Sequence, residues 1–474
     1  MTALSPQADL GDKPAERKPS VAILAGPILP AMLRLALPTV VVLVVQTLVG
    51  VAETYFVSSL GTPVLAGVAL VFPVLMLMQM MSNGGLGGGV ASAVARALGA
   101  GRQADADALV WHSLVVAGVF GGVFTVAMIF GGPVLYRAMG GSEQVLQVAL
   151  TYSNIVFAGS APLWIVALLS AALRGAGDVR TPALVTLAGT GILLPLSPAL
   201  IFGWGPFPRL GVAGAGVAVV VYYALAALML IAYLRSAHSP LRFSMTRLTP
   251  RLFKDILGVG LLSAVGTVQT NLTVTIVTAA VGRFGTDAIA GYGIASRLDY
   301  VQIPLLFGLG TAIVTMVGVN LGAGQTGRAL RITWIGAAIA FGFTELIGFA
   351  AATFPHVWLG LFSDEPQVLA MGATYLRNVA PAYGAVGIGM ALYFASQGAK
   401  RVLWPVLAGT ARMFIAAGVG WWAVTYLDAD LPSLFQIVAL AAVIFCAITV
   451  SATFSGGRVH RSTIPPTVQL DPAE

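Results

Sequence analysis

Runs of about 20 or more predominantly apolar residues follow one another along nearly the whole chain, separated only by short polar or glycine- and proline-bearing turns. Nothing constrains the fold more, because a backbone crossing hydrocarbon must satisfy its own hydrogen bonds. We count twelve such spans, six before and six after a polar connector. The first six run roughly over 31–58, 64–95, 106–131, 146–172, 181–204 and 212–235; the second six over 254–282, 287–320, 328–354, 367–397, 401–426 and 432–454. The residues are 58% hydrophobic and 9% charged, whereas the surface of a soluble domain needs about 25% charged residues. The expected class is an all-α integral membrane protein.

Matches at one fixed offset show that the chain is duplicated. LGAG at 98–101 returns at 321–324, QVL at 144–146 at 367–369, and Thr151-Tyr152 at Thr374-Tyr375. Gly175-Ala176 returns as Gly398-Ala399 and Gln46-Thr47 as Gln269-Thr270, each 223 positions on. Six spans is an even number, so both halves enter the bilayer in the same direction. They form two pseudo-symmetric six-helix lobes, a parallel repeat about an axis along the membrane normal. The predicted layout is a tail over 1–30, a lobe over 31–235, a connector over 236–253, a second lobe over 254–455 and a tail over 456–474. GGLGGG at 84–89 and GLG at 308–310 suit close helix packing in lipid.

Of 25 Lys and Arg residues, 19 fall on one side of this layout, among them Arg34, Arg96, Arg102, Arg174, Arg180, Arg251, Arg328 and Lys400. That asymmetry puts both termini in the cytoplasm of a multi-pass inner (plasma) membrane protein, and it explains the +7 net charge without nucleic acid. A single cysteine, Cys446, excludes an intramolecular disulfide and a cysteine-rich metal site. No GxxxxGK[ST] loop and no HExxH motif occur, so neither a nucleotide-driven motor nor a zinc hydrolase is expected, and the protein is read as a non-enzyme without cofactor.

An ionisable side chain in hydrocarbon costs about 2.5–3.5 kcal/mol on insertion scales, so each needs a partner, a wet cavity or a task. The intramembrane set is Glu53, Arg297 with Asp299, Glu345, Arg377 and Arg412. Glu53 is the only charged residue between Leu35 and Leu60, and the repeat offset takes it to the apolar Ile276. It is an acid specific to one half, placed in the outer part of the bilayer. Such a carboxyl group can take a proton from one side and release it when its surroundings change, or in ionised form help bind Na⁺. Arg297 and Asp299, two apart, do not face each other on one helix and are expected to pair elsewhere. Glu345 is expected near the outer interface, and Arg377 and Arg412 as helix-contact residues. Asn271, Thr275 and Thr278 share a helix face, a possible polar cavity wall, although threonine hydroxyls also bond back to their own helix. The cavity candidates are Gln46, Asn83, Tyr152, Asn154, Gln269, Asn271, Thr275, Tyr292, Arg297 and Asp299.

VAETYFVSSLGTPVLAGVAL at 51–70, ARALGAGR at 95–102, LRGAGDVRTP at 173–182, and AIAGYGIASRLDY with VGVNLGAG within 288–324 together resemble the multidrug and toxic compound extrusion (MATE) family, in its bacterial branch. The resemblance spans both halves, about 30–455. It implies a twelve-helix, two-lobe antiporter that expels amphipathic, often cationic small molecules in exchange for H⁺ or Na⁺, and a monomer is compatible with it. Where bacterial relatives carry a coupling aspartate in the first helix, this chain has Glu53 followed by Thr54, which points to Glu53 as the coupling residue and leaves the ion open. Two other readings remain: a lipid-linked oligosaccharide flippase of the same superfamily, and a non-transporting membrane scaffold or receptor.

Overall fold

The computed structural model describes residues 21–461, with side chains described for residues 23–454; the predicted tails therefore lie largely outside the described residues. A short helix α1 (Val21–Leu24) leads into the first lobe: α2 (Ile28–Ser58), α3 (Thr62–Met80), α4 (Gly87–Gly99), α5 (Gln103–Ala138), α6 (Glu143–Ala158), α7 (Ser160–Gly175), α8 (Arg180–Phe202) and α9 (Val212–Arg235). The second lobe holds α10 (Pro250–Val281), α11 (Thr286–Ala295), α12 (Arg297–Gly322), α13 (Thr326–Thr353), α14 (Pro355–Leu359), α15 (Pro366–Val379), α16 (Tyr383–Gly398), α17 (Leu403–Met413), α18 (Gly420–Tyr426) and α19 (Leu431–Arg461). Eleven continuous or nearly continuous helices are long and apolar enough to span a bilayer, and α6 with α7 makes a twelfth span bent by 48° at Gly159. The span expected over 146–172 is bent at Gly159, where a Cβ would collide with Val220 of α9, so the glycine lets α9 approach. Apolar side chains such as Val119, Phe130, Leu228, Leu346 and Phe349 are exposed, as lipid-facing surface requires.

A π-helical turn over Met81–Leu86 joins α3 to α4, and the glycines around it receive the other lobe. A Cβ at Gly85 would press on Ala264 and one at Gly89 on Ile256 and Gly260, all in α10. In the other direction, a Cβ at Gly308 of α12 would meet Ala36 and Val40 of α2. Each lobe's first long helix thus packs on the second span of the opposite lobe. Predicted small-residue packing is what these glycines do.

At the end where α4 and α12 terminate, the seam obeys the repeat. A Cβ on Gly99 would fall on the carbonyl oxygen of Val319, and one on Gly322, 223 positions later, on that of Arg96, the counterpart of Val319. The same end carries polar ties between lobes. Arg251 Nη2 lies 2.6 Å from Asp105 Oδ1, Arg96 Nη1 donates to Gly398 O at 3.1 Å, and the Thr249 amide donates to His112 Nε2 at 2.9 Å. Asn320 Nδ2 and Arg328 Nε donate to the Ile23 carbonyl, and Arg328 Nη2 to that of Gly26, strapping the segment before α2 onto the second lobe. Between the lobes, α12 packs on α2 and α4, and α10 on α4 and the π-helical turn before it.

Candidate functional site

Three polar centres lie along the helices, one inside each lobe and one between them. In the first lobe α2 carries Glu53 inward to α8, where Ser197 Oγ donates to Oε2 at 2.7 Å. The other carboxylate oxygen, Oε1, is buried with no hydrogen-bond partner, and none of the described ion pairs involves Glu53. Tyr152 of α6 is buried beside this carboxylate, and Tyr223 beside Tyr152. Gln46, about two turns before Glu53 on α2, lies beside the Tyr222 hydroxyl, as does Thr186. Pro38 interrupts α2, and Pro195 and Pro198 flank Ser197 in α8, so both helices that frame the acid have local breaks in their ladders.

The second lobe holds a different acid on a different helix. Tyr375 of α15 donates to Asp299 Oδ2 at 2.6 Å, while Oδ1 is buried without a partner. Tyr383 is buried beside Asp299 with its hydroxyl unbonded, and Arg412 of α17 is the nearby cation. Tyr292 packs edge-on against Tyr375, with ring centroids 5.2 Å apart, and stacks on Phe435 at 6.0 Å. Gln269 takes the place of its repeat mate Gln46 by donating to Thr410 Oγ1 at 2.7 Å.

Between the lobes, a small space with room for about one water molecule is walled by Asn83, Gly84, Gly88 and Arg174 of one lobe and Phe307, Thr311, Phe394 and Gln397 of the other. Asn271 of α10 reaches across as well, with Nδ2 3.8 Å from the Met80 sulfur.

Several expectations are corrected. Arg297, at the α11–α12 break, is exposed and lies over the Phe362 ring, 5.5 Å from its centroid, so it is not paired with Asp299. Asn154 is exposed on the helix face opposite Tyr152, since two residues turn a helix by about 200°. Thr275 is exposed and its hydroxyl returns to Asn271 O at 2.9 Å, the helix-internal bond that threonine makes readily. Glu345 is not an outer-surface acid; its Oε2 accepts the Gly384 amide at 2.8 Å in the first turn of α16, where backbone N–H groups lack helical partners. Arg377 is exposed and is no helix contact, whereas Arg412 is one, over the Phe445 ring.

Ser197, Tyr222, Tyr375, Tyr383 and the aromatic cleft walls escape sequence reasoning. Tyr375 alone left a trace, as the repeat mate of Tyr152.

Comparison with known proteins rests on this geometry. The MatE family matches residues 38–199 and 263–422, one stretch in each lobe. The chain belongs to the MatE family. It is 29% identical over 371 residues to a protein of Shewanella oneidensis named "FAD transporter", covering 77% of this chain and 81% of that one. A probable multidrug resistance protein NorM of Thermotoga maritima is 29% identical over 340 residues, covering 71% and 73%. Among solved structures, MATE in the bent conformation superposes with a TM-score of 0.86 at 23% identity, covering 94% of this chain and 98% of that one. An outward-facing multidrug resistance MATE transporter of the MOP superfamily gives 0.82 at 22%, covering 94% and 99%. As a MatE protein the chain is a multi-pass membrane transporter with small-molecule cargo, related to multidrug transporters.

Proposed function

We propose that this protein is a secondary active exporter of amphipathic aromatic compounds, driven by a cation that Glu53 binds and releases. The observation that carries the reading is the state of the Glu53 carboxylate: one oxygen bonded to Ser197, the other buried without a donor, and no described ion pair to balance its charge. A buried anion without a cation is costly, so the site is built to take one up and to register its loss. One carboxylate and one hydroxyl make a thin shell for Na⁺ and a sufficient one for a proton, which favours H⁺ as the coupling ion. Arginine placement favours a cytoplasmic side for the seam around Arg96 and Arg251, with cargo leaving on the opposite side. Some relatives are named for multidrug resistance and another as an FAD transporter, and the Phe307 and Phe394 walls between the lobes suit aromatic cargo.

Efflux of a fluorescent cargo from everted vesicles under an imposed pH or Na⁺ gradient tests the reading. Glu53→Gln is expected to abolish gradient-driven efflux while the protein is still made and inserted. Gradient-driven efflux by that variant at the wild-type rate overturns the assignment of Glu53.

A further inference from the structure

Residues 235–254 carry five cations, Arg235, Arg242, Arg247, Arg251 and Lys254, and no carboxylate. They run from the last residue of α9 through the connector into the start of α10. A connector that only tethered the lobes would hang in water, but this one is docked along the side of α5. Gln103 Nε2 donates to Pro240 O at 3.1 Å and the Arg242 amide to Asp107 Oδ1 at 2.8 Å. Phe243 meets Trp111 edge-on with centroids 6.0 Å apart, and the Thr249 amide donates to His112 Nε2. Ser239 and Leu241 are fully buried.

These contacts climb α5 in order from Gln103 to His112, a rise of about 14 Å at 1.5 Å per residue. The mostly apolar run of α5 begins at Ala108, within that rise. The second half of the connector is therefore level with the place where α5 enters the bilayer. Among the described hydrogen bonds, none involves the backbone of residues 244–248. Unbonded backbone is too costly for hydrocarbon, so this stretch belongs to the headgroup layer, with only side chains reaching deeper. Met245 is 72% exposed there and Leu248 49%.

The charge on this stretch is unbalanced. Asp105 is taken by Arg102 and Arg251, Asp107 by Gln103 and the Arg242 amide, and Asp255 by Lys400. None of the described ion pairs involves Arg235, Arg242, Arg247 or Lys254. Arg235 is turned back over the Phe243 ring, 5.2 Å from its centroid, which leaves Arg242 and Arg247 flanking Met245. Cations beside exposed apolar side chains at headgroup depth match a molecule with a negative headgroup and an acyl chain. A soluble anion would satisfy the arginines and leave Met245 and Leu248 in water.

We propose that the connector is a lipid-binding element, on which anionic phospholipids of the adjacent leaflet dock, their phosphates on Arg242 and Arg247 and their acyl chains over Met245 and Leu248. The site is separate from the Glu53 centre and independent of cargo.

A nitroxide on Met245→Cys, in full-length protein carrying Cys446→Ser, tests it in nanodiscs of phosphatidylcholine alone and of phosphatidylcholine mixed with phosphatidylglycerol. With phosphatidylglycerol present, collisions of the label with a neutral, water-soluble nickel chelate are expected to fall about threefold or more, and collisions with oxygen, which concentrates among acyl chains, to rise. Arg242→Gln with Arg247→Gln removes two attracting charges, worth about tenfold or more in binding, so the signal in mixed lipid should return to the phosphatidylcholine value. Leu248→Cys, labelled in the same way, gives the reading if the Met245 variant cannot be isolated folded. Nickel-chelate collisions that are equal in the two lipids, or that still fall in the double arginine variant, overturn the proposal. Inorganic phosphate added to phosphatidylcholine discs should leave the collisions unchanged; a fall there assigns the site to a free anion and overturns the lipid assignment. No cargo or gradient is present, so the outcome does not depend on whether Glu53 couples transport.

Discussion

The Tyr375 hydroxyl donates to Asp299 Oδ2 at 2.6 Å, while its repeat mate Tyr152 lies beside Glu53 in the other lobe. The duplicated tyrosine has kept an acid for a neighbour in both lobes, although the two acids sit on non-equivalent helices, α2 and α12. Tyr375→Phe removes a hydrogen bond to a carboxylate whose other oxygen is already unpaired. It should cost about 1.5–3 kcal/mol, read as a lower thermal unfolding midpoint in detergent. Tyr152→Phe, with no such bond to Glu53 described, should shift the midpoint less. Equal shifts would mean that the two lobes use this residue alike.

Gly322→Ala places a methyl group on the Arg96 carbonyl at the seam. Backbone cannot yield as a side-chain tip can, so the seam between α4 and α12 should be forced apart. With Cys446 replaced by Ser and Thr311 by Cys, maleimide labelling at the cleft wall should speed up about tenfold or more, equivalent to destabilising closure by about 1.4 kcal/mol. An unchanged labelling rate would show that the seam absorbs the methyl group.

Arg328→Ala removes donors to the carbonyls of Ile23 and Gly26, and Asn320→Ala removes another to Ile23. Ile23 itself is 4% exposed. Hydrogen exchange of the amides over residues 23–29 should accelerate in either variant, more for the arginine, because hydrogen bonds to charged groups are worth about 1.5–3 kcal/mol against about 1 for neutral ones. Protection as in the wild type would show that Ile23 burial alone holds the strap.

Glu345→Ala deprives the first turn of α16 of its acceptor and should lower stability by about 1 kcal/mol, in the range of lost helix caps. Glu345→Gln keeps an acceptor and should recover most of that loss in the same thermal assay. If both variants lose the same amount, the negative charge matters more than the bond.

The spans and the duplication were legible because hydrocarbon thickness and a gene-level repeat both write directly into sequence spacing. Glu53 was legible because a lone acid in an apolar helix has few structural excuses. The Asp299 centre was only half legible: its partners Tyr375, Tyr383 and Arg412 come from three other helices, and no spacing along the chain predicts which of their faces converge. The break at Ser296, just before Arg297, was not legible because the segment reads as one continuous apolar span. Arg174 was counted among the residues that set orientation, since its place at the end of a span gives no hint that it lines a cleft. Its pairing with Gln397 at the repeat offset was the one available clue.

The exchange of first helices between lobes carries a consequence for how the chain is made. During synthesis the first lobe is complete before α10 exists, so the glycine groove around Gly85 and Gly89 must wait in the bilayer without the helix that fills it. The connector is then a timer as well as a tether, and its length sets how long the half-built protein stays open to the wrong partner.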